Sequence, residues 1–380
     1  MEKTVATRQT GIDLLKITAM FMIVVIHILE HYGVKESVAV FSAQSAAVKL
    51  LLTMTAPAVN CYALCSGWLL IDRQIKPKRL VSLWLQVAFY SVSLTVLFLV
   101  LTRAGIVGAN SLHVGMTDLF TAVTPISRGA WWYASCYFGL FLLMPVLNWV
   151  VRNARKEHLQ IALVLGFLVG SLLTTITYGD GLGLKYGYSI LWLAFLYVTG
   201  AYLKRYPIKK IKSRSCLLMY LGWVVACWLF GMLCDRVFMY RFTGQEKTSN
   251  LLNLYVSPVT VVSALLLFVG FVSIQRKFRS AKAIATVSAL TFGIYLIHTQ
   301  DSVWVYFDNC FAGLAQDHPV LLVCKTLLLG AGIFAACGVI ERGRILLFQA
   351  IRADALADKI ASIVKKWVCF LARLLGKLEA

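Results

Sequence analysis

Ten apolar runs, each about 18 to 22 residues long, make up most of this 380-residue chain and constrain its fold more than any other feature. A helix needs about 20 apolar residues to cross the ~30 Å hydrocarbon core of a bilayer. The hydrophobic content of 59% also exceeds that of an ordinary soluble domain. We therefore predict an all-α, polytopic membrane protein with about ten transmembrane helices, at residues 12–32, 50–71, 81–102, 131–151, 159–178, 184–203, 215–234, 255–275, 283–300 and 319–340.

The net charge of +20 is distributed unevenly between the two sides of this arrangement. If the N-terminus is cytoplasmic, 28 of the 37 Lys and Arg residues lie on the cytoplasmic side. This bias is the positive-inside signal of membrane proteins, and it also suits contact with anionic lipids. We therefore predict that both termini are cytoplasmic and that membrane lipids, not nucleic acid, account for most of the charge.

The pattern indicates one membrane domain at residues 1–342, followed by a basic tail at 343–380. In the tail, apolar residues recur every three or four positions with lysines and arginines between them. This spacing predicts an amphipathic helix that lies on the inner surface of the membrane. Within the membrane domain, the second span contains Pro57, Asn60 and Gly67, so we expect it to bend and to face the protein interior.

The first span carries ionisable residues, which are costly in lipid and therefore indicate a function. Lys16 and His27 are eleven residues apart, which is about three helical turns and ~16 Å of rise, so they lie on one face. An imidazole can take up or release a proton near neutral pH. We predict that Lys16 is a charged subsite and His27 a proton-transferring one, with Glu30 orienting His27. The alternative for His27 is a buried histidine that only packs against other helices.

The loop at residues 73–79 carries four cations in seven positions, beside the end of the second span. Lysines and arginines at such a place can bind the phosphates of a nucleotide-like cofactor, and Lys16 belongs to the same surface layer. The alternative is that these cations are only a topology signal.

Two further groups are candidate substrate contacts. Trp131, Trp132 and Tyr133 begin the fourth span, where they suit either an aromatic belt at the membrane surface or stacking on a sugar ring. In the ninth span Tyr295 and His298 share a helix face, which predicts that they turn inward. They would either orient a substrate or hydrogen-bond a neighbouring helix. The ten cysteines form no Cys-x-x-Cys pair or Cys/His cluster, so we predict no metal site.

Taken together, these residues resemble the bacterial membrane-bound acyltransferase family 3, which includes O-acetyltransferases of surface polysaccharides. The basic residue and the histidine of the family's first helix look like Lys16 and His27. Its basic pair in the loop after the second helix is similar to Lys76 and Arg79. The run Gly-Ile-Tyr-Leu-Ile-His at 293–298 resembles its ninth-span signature. The resemblance covers about residues 8–340. Lysine stands at positions 16 and 76 where arginine is usual, which keeps the charge but loses the bidentate fork.

The resemblance implies transfer of an acyl group, acetyl being the expected one, from acyl-CoA to a hydroxyl of a cell-surface or lipid-linked carbohydrate. The location it implies is the bacterial plasma membrane. Acyl-CoA would be a donor substrate whose phosphates are held by Lys16, Lys76 and Arg79. His27 would act either as the general base or as a transient acyl carrier.

Two other classes of function stay open at this point. A proton-coupled transporter or flippase could use Asp13, Lys16, His27 and His298 as its path through the membrane. A membrane sensor or assembly protein would tolerate apolar residues at positions 16 and 27. Consumption of acetyl-CoA by the purified protein distinguishes an enzyme from a carrier, which would leave the thioester intact.

Overall fold

A computed structural model describes residues 9–106, 116–208, 211–239, 251–276 and 278–378. Within those ranges the regular structure is helical and no strand occurs. The α-helices are α1 (Thr10–His31), α2 (Val34–Ser37), α3 (Ala43–Thr55), α4 (Ala58–Leu70), α5 (Pro77–Arg103), α6 (Met116–Ala122), α7 (Trp132–Asn153), α8 (Lys156–Phe167), α9 (Thr174–Thr177), α10 (Ile190–Arg205), α11 (Ser213–Cys234), α12 (Pro258–Val272), α13 (Ala281–His298), α14 (Asp301–Tyr306), α15 (Pro319–Ala350) and α16 (Ala353–Leu378). Leu168–Leu173 and Asp235–Met239 are π-helical, and Lys185–Gly187, Leu251–Asn253 and Ala312–Gln316 are 3₁₀-helical.

The described part of the chain contains nine helical segments long and apolar enough to cross a membrane, which confirms an all-α, polytopic membrane protein. The predicted span at 184–203 is shorter than expected, because α10 has only 16 residues. Lys185 and Tyr186 have positive φ angles of 49° and 52°, which a right-handed helix does not accommodate. Ser189 then caps α10 by accepting a hydrogen bond from the backbone N–H of Trp192 at 3.2 Å.

The second predicted span bends and lies inside the protein, as its sequence predicts. It is divided into α3 and α4 at Ala56 and Pro57, and 83% of its most apolar window is buried, the largest share among the nine segments. Lys49, which directly precedes the predicted span at 50–71, is buried within α3 and forms an ion pair with Asp235.

Two glycines allow α4 and α10 to cross at close range. A Cβ atom on Gly67 would overlap the carbonyl oxygen of Tyr197, and one on Gly200 would overlap the carbonyl oxygen of Leu64. Small residues at such crossings are how membrane helices gain contact between their backbones. The backbone of α4 at Gly67 is therefore held against α10 by close packing.

Helix α1 occupies the middle of the bundle. It packs against α3, α4, α12, α13 and α15, and 67% of its span is buried. Leu15, Ile28 and Leu29 have no exposed surface. Because other helices surround α1, its ionisable side chains face protein and cavities rather than lipid.

The C-terminal part consists of two long helices. Helix α15 continues without a break to Ala350, so the predicted domain boundary at 342/343 falls inside it. Helix α16 is the predicted tail helix, and it leaves apolar side chains such as Trp367 exposed on one face, as an amphipathic helix would. It lies beside α5, where Lys78 Nζ is 2.7 Å from Asp358 Oδ2.

Candidate active site

His27 lines a narrow cavity in the bundle, which we call the central cavity. Its volume is about 40 Å³, enough for only a few water-sized groups. Most of its walls are apolar or aromatic side chains: Met20, Ile23, Ile26, Val59, Tyr62, Trp132, Tyr133, Tyr255, Phe292 and Tyr295. His27 itself is partly exposed, so its ring is accessible from this space.

Lys16 lines a second, larger cavity on the side of the basic loops, which we call the inner cavity. Its volume is about 300 Å³, and Ser66, Tyr137 and Thr291 contribute polar groups to its wall. Three aromatic side chains line both this cavity and the central one: Tyr62, Tyr133 and Phe292. Lys16 and His27 therefore border adjoining cavities, separated by this aromatic group.

A third cavity lies further toward the basic loops, between α5, α15 and the start of α16. We call it the basic-side cavity. It has a volume of about 400 Å³, and its lining includes Arg79, Gln86, Arg344 and Gln349. Leu83 lines both this cavity and the inner cavity, so the three cavities form a series from the basic loops to His27.

The two cations of the predicted loop pair have different positions. Arg79 is in the first turn of α5 and lines the basic-side cavity. Lys76 immediately precedes α5, is exposed, and lines none of the cavities described here. Arg344, which is not among the residues predicted from the sequence, supplies the second guanidinium of this cavity.

Arg344 is held by a buried carboxylate on the same helix. Glu341 has no exposed surface and accepts hydrogen bonds from Arg344 Nη2 at 2.5 Å and from Tyr90 Oη at 2.6 Å. Gln86 Nε2 donates to it at 3.1 Å, and Gly293 of α13 packs directly against its side chain. A buried charge needs such partners, so this carboxylate fixes α5, α13 and α15 relative to one another. A glutamate three residues before an arginine inside an apolar run is the sequence signal for this pair.

His27 is hydrogen-bonded to His298, which is 271 residues away in the chain. His27 Nδ1 lies 2.9 Å from His298 Nε2, and His298 Nδ1 lies 2.6 Å from the carbonyl oxygen of Ile294. A carbonyl oxygen only accepts, so His298 Nδ1 carries a proton and donates it. In the neutral ring its Nε2 is then an acceptor, which requires His27 Nδ1 to donate. This assignment leaves His27 Nε2 with the free lone pair, in the tautomer that a general base needs.

The structure does not bring Glu30 to His27. Glu30 Oε1 accepts from Lys35 Nζ at 3.2 Å. A separation of three residues corresponds to about 300° of rotation, so Glu30 points about 60° away from His27. The described ring neighbours of His27 are instead His31, His298 and Trp304, with centroid distances of 5.1 to 5.4 Å.

The aromatic run at the start of α7 divides between two cavities. Trp132 and Tyr133 line the central cavity, where Tyr133 stacks on Tyr137 and Trp132 stacks on Tyr255. Trp131 is buried and lines a different cavity on the side opposite the basic loops. The predicted substrate contacts at 131–133 therefore do not form one stacking platform. Tyr295 lines the central cavity, whereas His298 is a partner of His27.

The described residues include no group of three or more His, Cys, Asp or Glu side chains arranged to hold a metal ion. The groups brought together here are a tautomer-fixed imidazole in a small aromatic cavity and guanidinium and ammonium groups that line the adjoining cavities. Such an arrangement can remove a proton from a hydroxyl and can bind an anionic substrate at a distance from the reacting atoms.

Residues 9–342 match the model of the family Acyltransferase 3, described as an acyltransferase domain. The match begins just before α1 and ends inside α15, so it includes the residues that line the central and inner cavities, whereas Arg344 and Gln349 of the basic-side cavity lie beyond it. No curated protein and no solved structure matches the chain.

Proposed function

Since this chain belongs to acyltransferase family 3 and is a multi-pass membrane protein, we propose that it transfers an acyl group, acetyl being the expected one, from acyl-CoA to a carbohydrate hydroxyl. The acceptor would be a cell-surface or lipid-linked carbohydrate, and the membrane the bacterial plasma membrane. The observation that carries the proposal is the His27–His298 hydrogen bond at the end of a series of cavities that begins at Arg79.

The donor would enter from the basic side. Its phosphates would lie in the basic-side cavity, where Arg79 and Arg344 supply planar, multiply donating cations suited to phosphate oxygens. Its chain would follow the inner cavity past Lys16. The acyl end would then reach the central cavity, whose volume of about 40 Å³ favours a short acyl group.

The reaction would proceed by general-base catalysis. His27 Nε2 takes the proton of the acceptor hydroxyl while the oxygen attacks the thioester carbonyl carbon. The new C–O bond forms, the C–S bond breaks, and the proton on His27 passes to the leaving thiolate. His298 Nε2 continues to accept from His27 Nδ1, which stabilises the imidazolium formed on the way.

A covalent route uses the same atoms. His27 Nε2 attacks the thioester carbonyl carbon, the C–S bond breaks, and the thiolate takes a proton from water, which leaves an acyl-imidazolium. The acceptor hydroxyl then attacks the acyl carbon, the C–N bond breaks, and the hydroxyl proton passes to the freed Nε2 and from there to water. The two routes differ in whether acyl-CoA is consumed before the acceptor is added. A rapid burst of free CoA without acceptor indicates the covalent route.

The test is transfer of radiolabelled acetyl from acetyl-CoA by purified protein in lipid vesicles, with glycan-containing membrane extract as acceptor. We expect His27→Ala to lower the rate by about 10²- to 10⁴-fold, the usual contribution of a general acid–base group. The matched control is His158→Ala, since His158 is exposed and lies on the basic side. Parental protein that leaves acetyl-CoA intact would overturn the proposal and favour a carrier. A His27→Ala variant with the parental rate would exclude His27 as the base.

A further inference from the structure

On the side opposite the basic loops, a fourth cavity lies between α5, α6, α14 and the residue before α7. We call it the outer cavity. Its volume is about 340 Å³, which is within the range of small-ligand sites. The side chains that matter here are Thr95, Asp118, Arg128, Trp131, Gln300 and Asp301. The proposed reaction assigns them no role.

The outer cavity differs from the central one in that its lining is mostly polar. Asp118 and Asp301 supply carboxylate oxygens, which accept hydrogen bonds, and Arg128 supplies N–H donors. The hydroxyl of Thr95 can both donate and accept. Two carboxylates and one guanidinium give a net charge of −1, which disfavours an anionic ligand. A neutral ligand rich in hydroxyl groups both donates and accepts hydrogen bonds, so it suits this lining.

Trp131 supplies an independent observation. Its side chain is only 3% exposed, and its indole N–H is buried without a hydrogen-bond acceptor among the described residues. A buried donor without a partner costs about 1–3 kcal/mol, and such groups are rare in folded proteins. An indole that lines a polar cavity and lacks an acceptor fits a site where a ligand oxygen completes the hydrogen bond.

The outer cavity is also next to the central one. Trp131 lines the outer cavity, and the following residues, Trp132 and Tyr133, line the central cavity. Helix α14 also lies between the outer cavity and the surroundings of His27. Asp301 lines the outer cavity, whereas the ring of Trp304, one turn later, lies 5.3 Å from the ring of His27. One turn of α14 therefore separates the lining of the outer cavity from a ring neighbour of the proposed base.

We propose that the outer cavity is the acceptor site, and that it binds the neutral, hydroxyl-rich end of a carbohydrate, with the Trp131 indole and the Asp301 carboxylate as its main hydrogen-bonding groups. This assignment rests on the proposed acyl transfer for its role as acceptor site. Sugar binding by the cavity does not depend on transfer, so the two ideas can fail separately.

The first experiment measures binding by titrating the purified protein in detergent with glucose, N-acetylglucosamine and glucuronate while following tryptophan emission. We expect saturable binding of at least one neutral sugar and weaker binding of glucuronate. Asp301→Asn and Trp131→Phe should each weaken neutral-sugar binding by about 10-fold, the effect of losing one such hydrogen bond. The matched control is Asp308→Asn, since Asp308 is exposed and lies outside the cavity. Unchanged elution on gel filtration identifies variants that fold.

Three results would overturn the assignment. One is the absence of neutral-sugar binding by the parent, and another is glucuronate binding as tight as that of the neutral sugars. The third is unchanged sugar affinity in both Asp301→Asn and Trp131→Phe. In the transfer assay, the same two variants should raise the acceptor KM and leave the KM for acetyl-CoA unchanged. If the parental protein leaves acetyl-CoA intact while these variants still lose sugar binding, the proposed function fails and the sugar site stands.

Discussion

The central cavity and the basic-side cavity differ in size and in chemistry. The central cavity has a volume of about 40 Å³ and largely aromatic walls, whereas the basic-side cavity has about 400 Å³ and two guanidinium groups in its lining. A large charged cavity suits hydrated, anionic groups. A small apolar one excludes water and strengthens the hydrogen bonds inside it. The difference indicates that this protein separates charge recognition from proton transfer, with Lys16 and the inner cavity between the two regions.

The largest expected effect is a loss of stability on breaking the ion pair between Arg344 and Glu341 at the border of the basic-side cavity. Arg344→Met leaves the buried carboxylate of Glu341 without its cation, which should lower the free energy of unfolding by about 3 kcal/mol. Denaturant unfolding in detergent measures this change. The double variant Glu341→Gln with Arg344→Met should recover much of the loss, because it removes the uncompensated charge. A single variant as stable as the parent would show that the ion pair does not hold this region together.

In the central cavity, His298→Phe should lower the transfer rate by about 10²-fold, an effect of the size expected for loss of general-base assistance. Phenylalanine keeps an aromatic ring at this position, but His27 Nδ1 loses its acceptor, so the tautomer with a free Nε2 is no longer favoured. The KM for acyl-CoA should stay unchanged, because the basic-side cavity is untouched. His318→Phe is the control, since His318 is exposed. A higher KM with an unchanged rate would instead make His298 a binding residue.

A third prediction concerns the size of the central cavity. Val59→Ala removes two methyl groups from the wall of the cavity. The ratio of kcat/KM for butyryl-CoA to kcat/KM for acetyl-CoA should therefore rise by about 10-fold, in line with the discrimination of small apolar pockets. Competition between the two donors measures the ratio. Val96→Ala is the control, since Val96 is exposed on the outside of α5. An unchanged ratio would mean that the acyl group does not occupy the central cavity.

The smallest expected effect is a difference in the KM for acyl-CoA between variants of Arg79 and Lys76, the two cations of the loop pair. Arg79→Ala should raise the KM for acyl-CoA by about 10-fold, because one charge-assisted hydrogen bond to phosphate is lost. Lys76→Ala should change it by less than about 2-fold, since Lys76 lines none of the cavities and its charge is screened by solvent. The KM of each variant is obtained by measuring the transfer rate at increasing concentrations of acyl-CoA. Equal effects of the two substitutions would place the phosphates outside the basic-side cavity.

Local sequence signals predicted the elements well and their boundaries less well. Apolar runs of membrane-spanning length located nine segments, and Pro57 with its polar neighbours indicated the bend in the second span. The shorter α10 was not predictable from hydropathy, because the break depends on the backbone conformation of Lys185 and Tyr186. Neither a lysine nor a tyrosine side chain indicates a positive φ.

The candidate site was only partly predictable, because some of its contacts join residues that are far apart in the sequence. The spacing of Lys16 and His27 follows from the period of one helix, and both border the same series of cavities. Glu30 was a reasonable partner for His27 by proximity in sequence, yet the ring is held by His298. The glutamate three residues before Arg344 is a local signal of their ion pair, but not of the cavity that Arg344 lines. Trp131 gained its position from packing between distant helices, and no local pattern separates it from Trp132 and Tyr133.

The sequence by itself determined the membrane class, the helical content and the faces of single helices, because burial in lipid and the 3.6-residue period act on neighbouring residues. The tertiary structure alone decided which side chains meet. It joined His27 to His298 and separated Trp131 from Trp132 and Tyr133. The physical reason is that contacts between helices depend on how whole surfaces fit together, as at Gly67 and Gly200, and this fit is not encoded in any one segment.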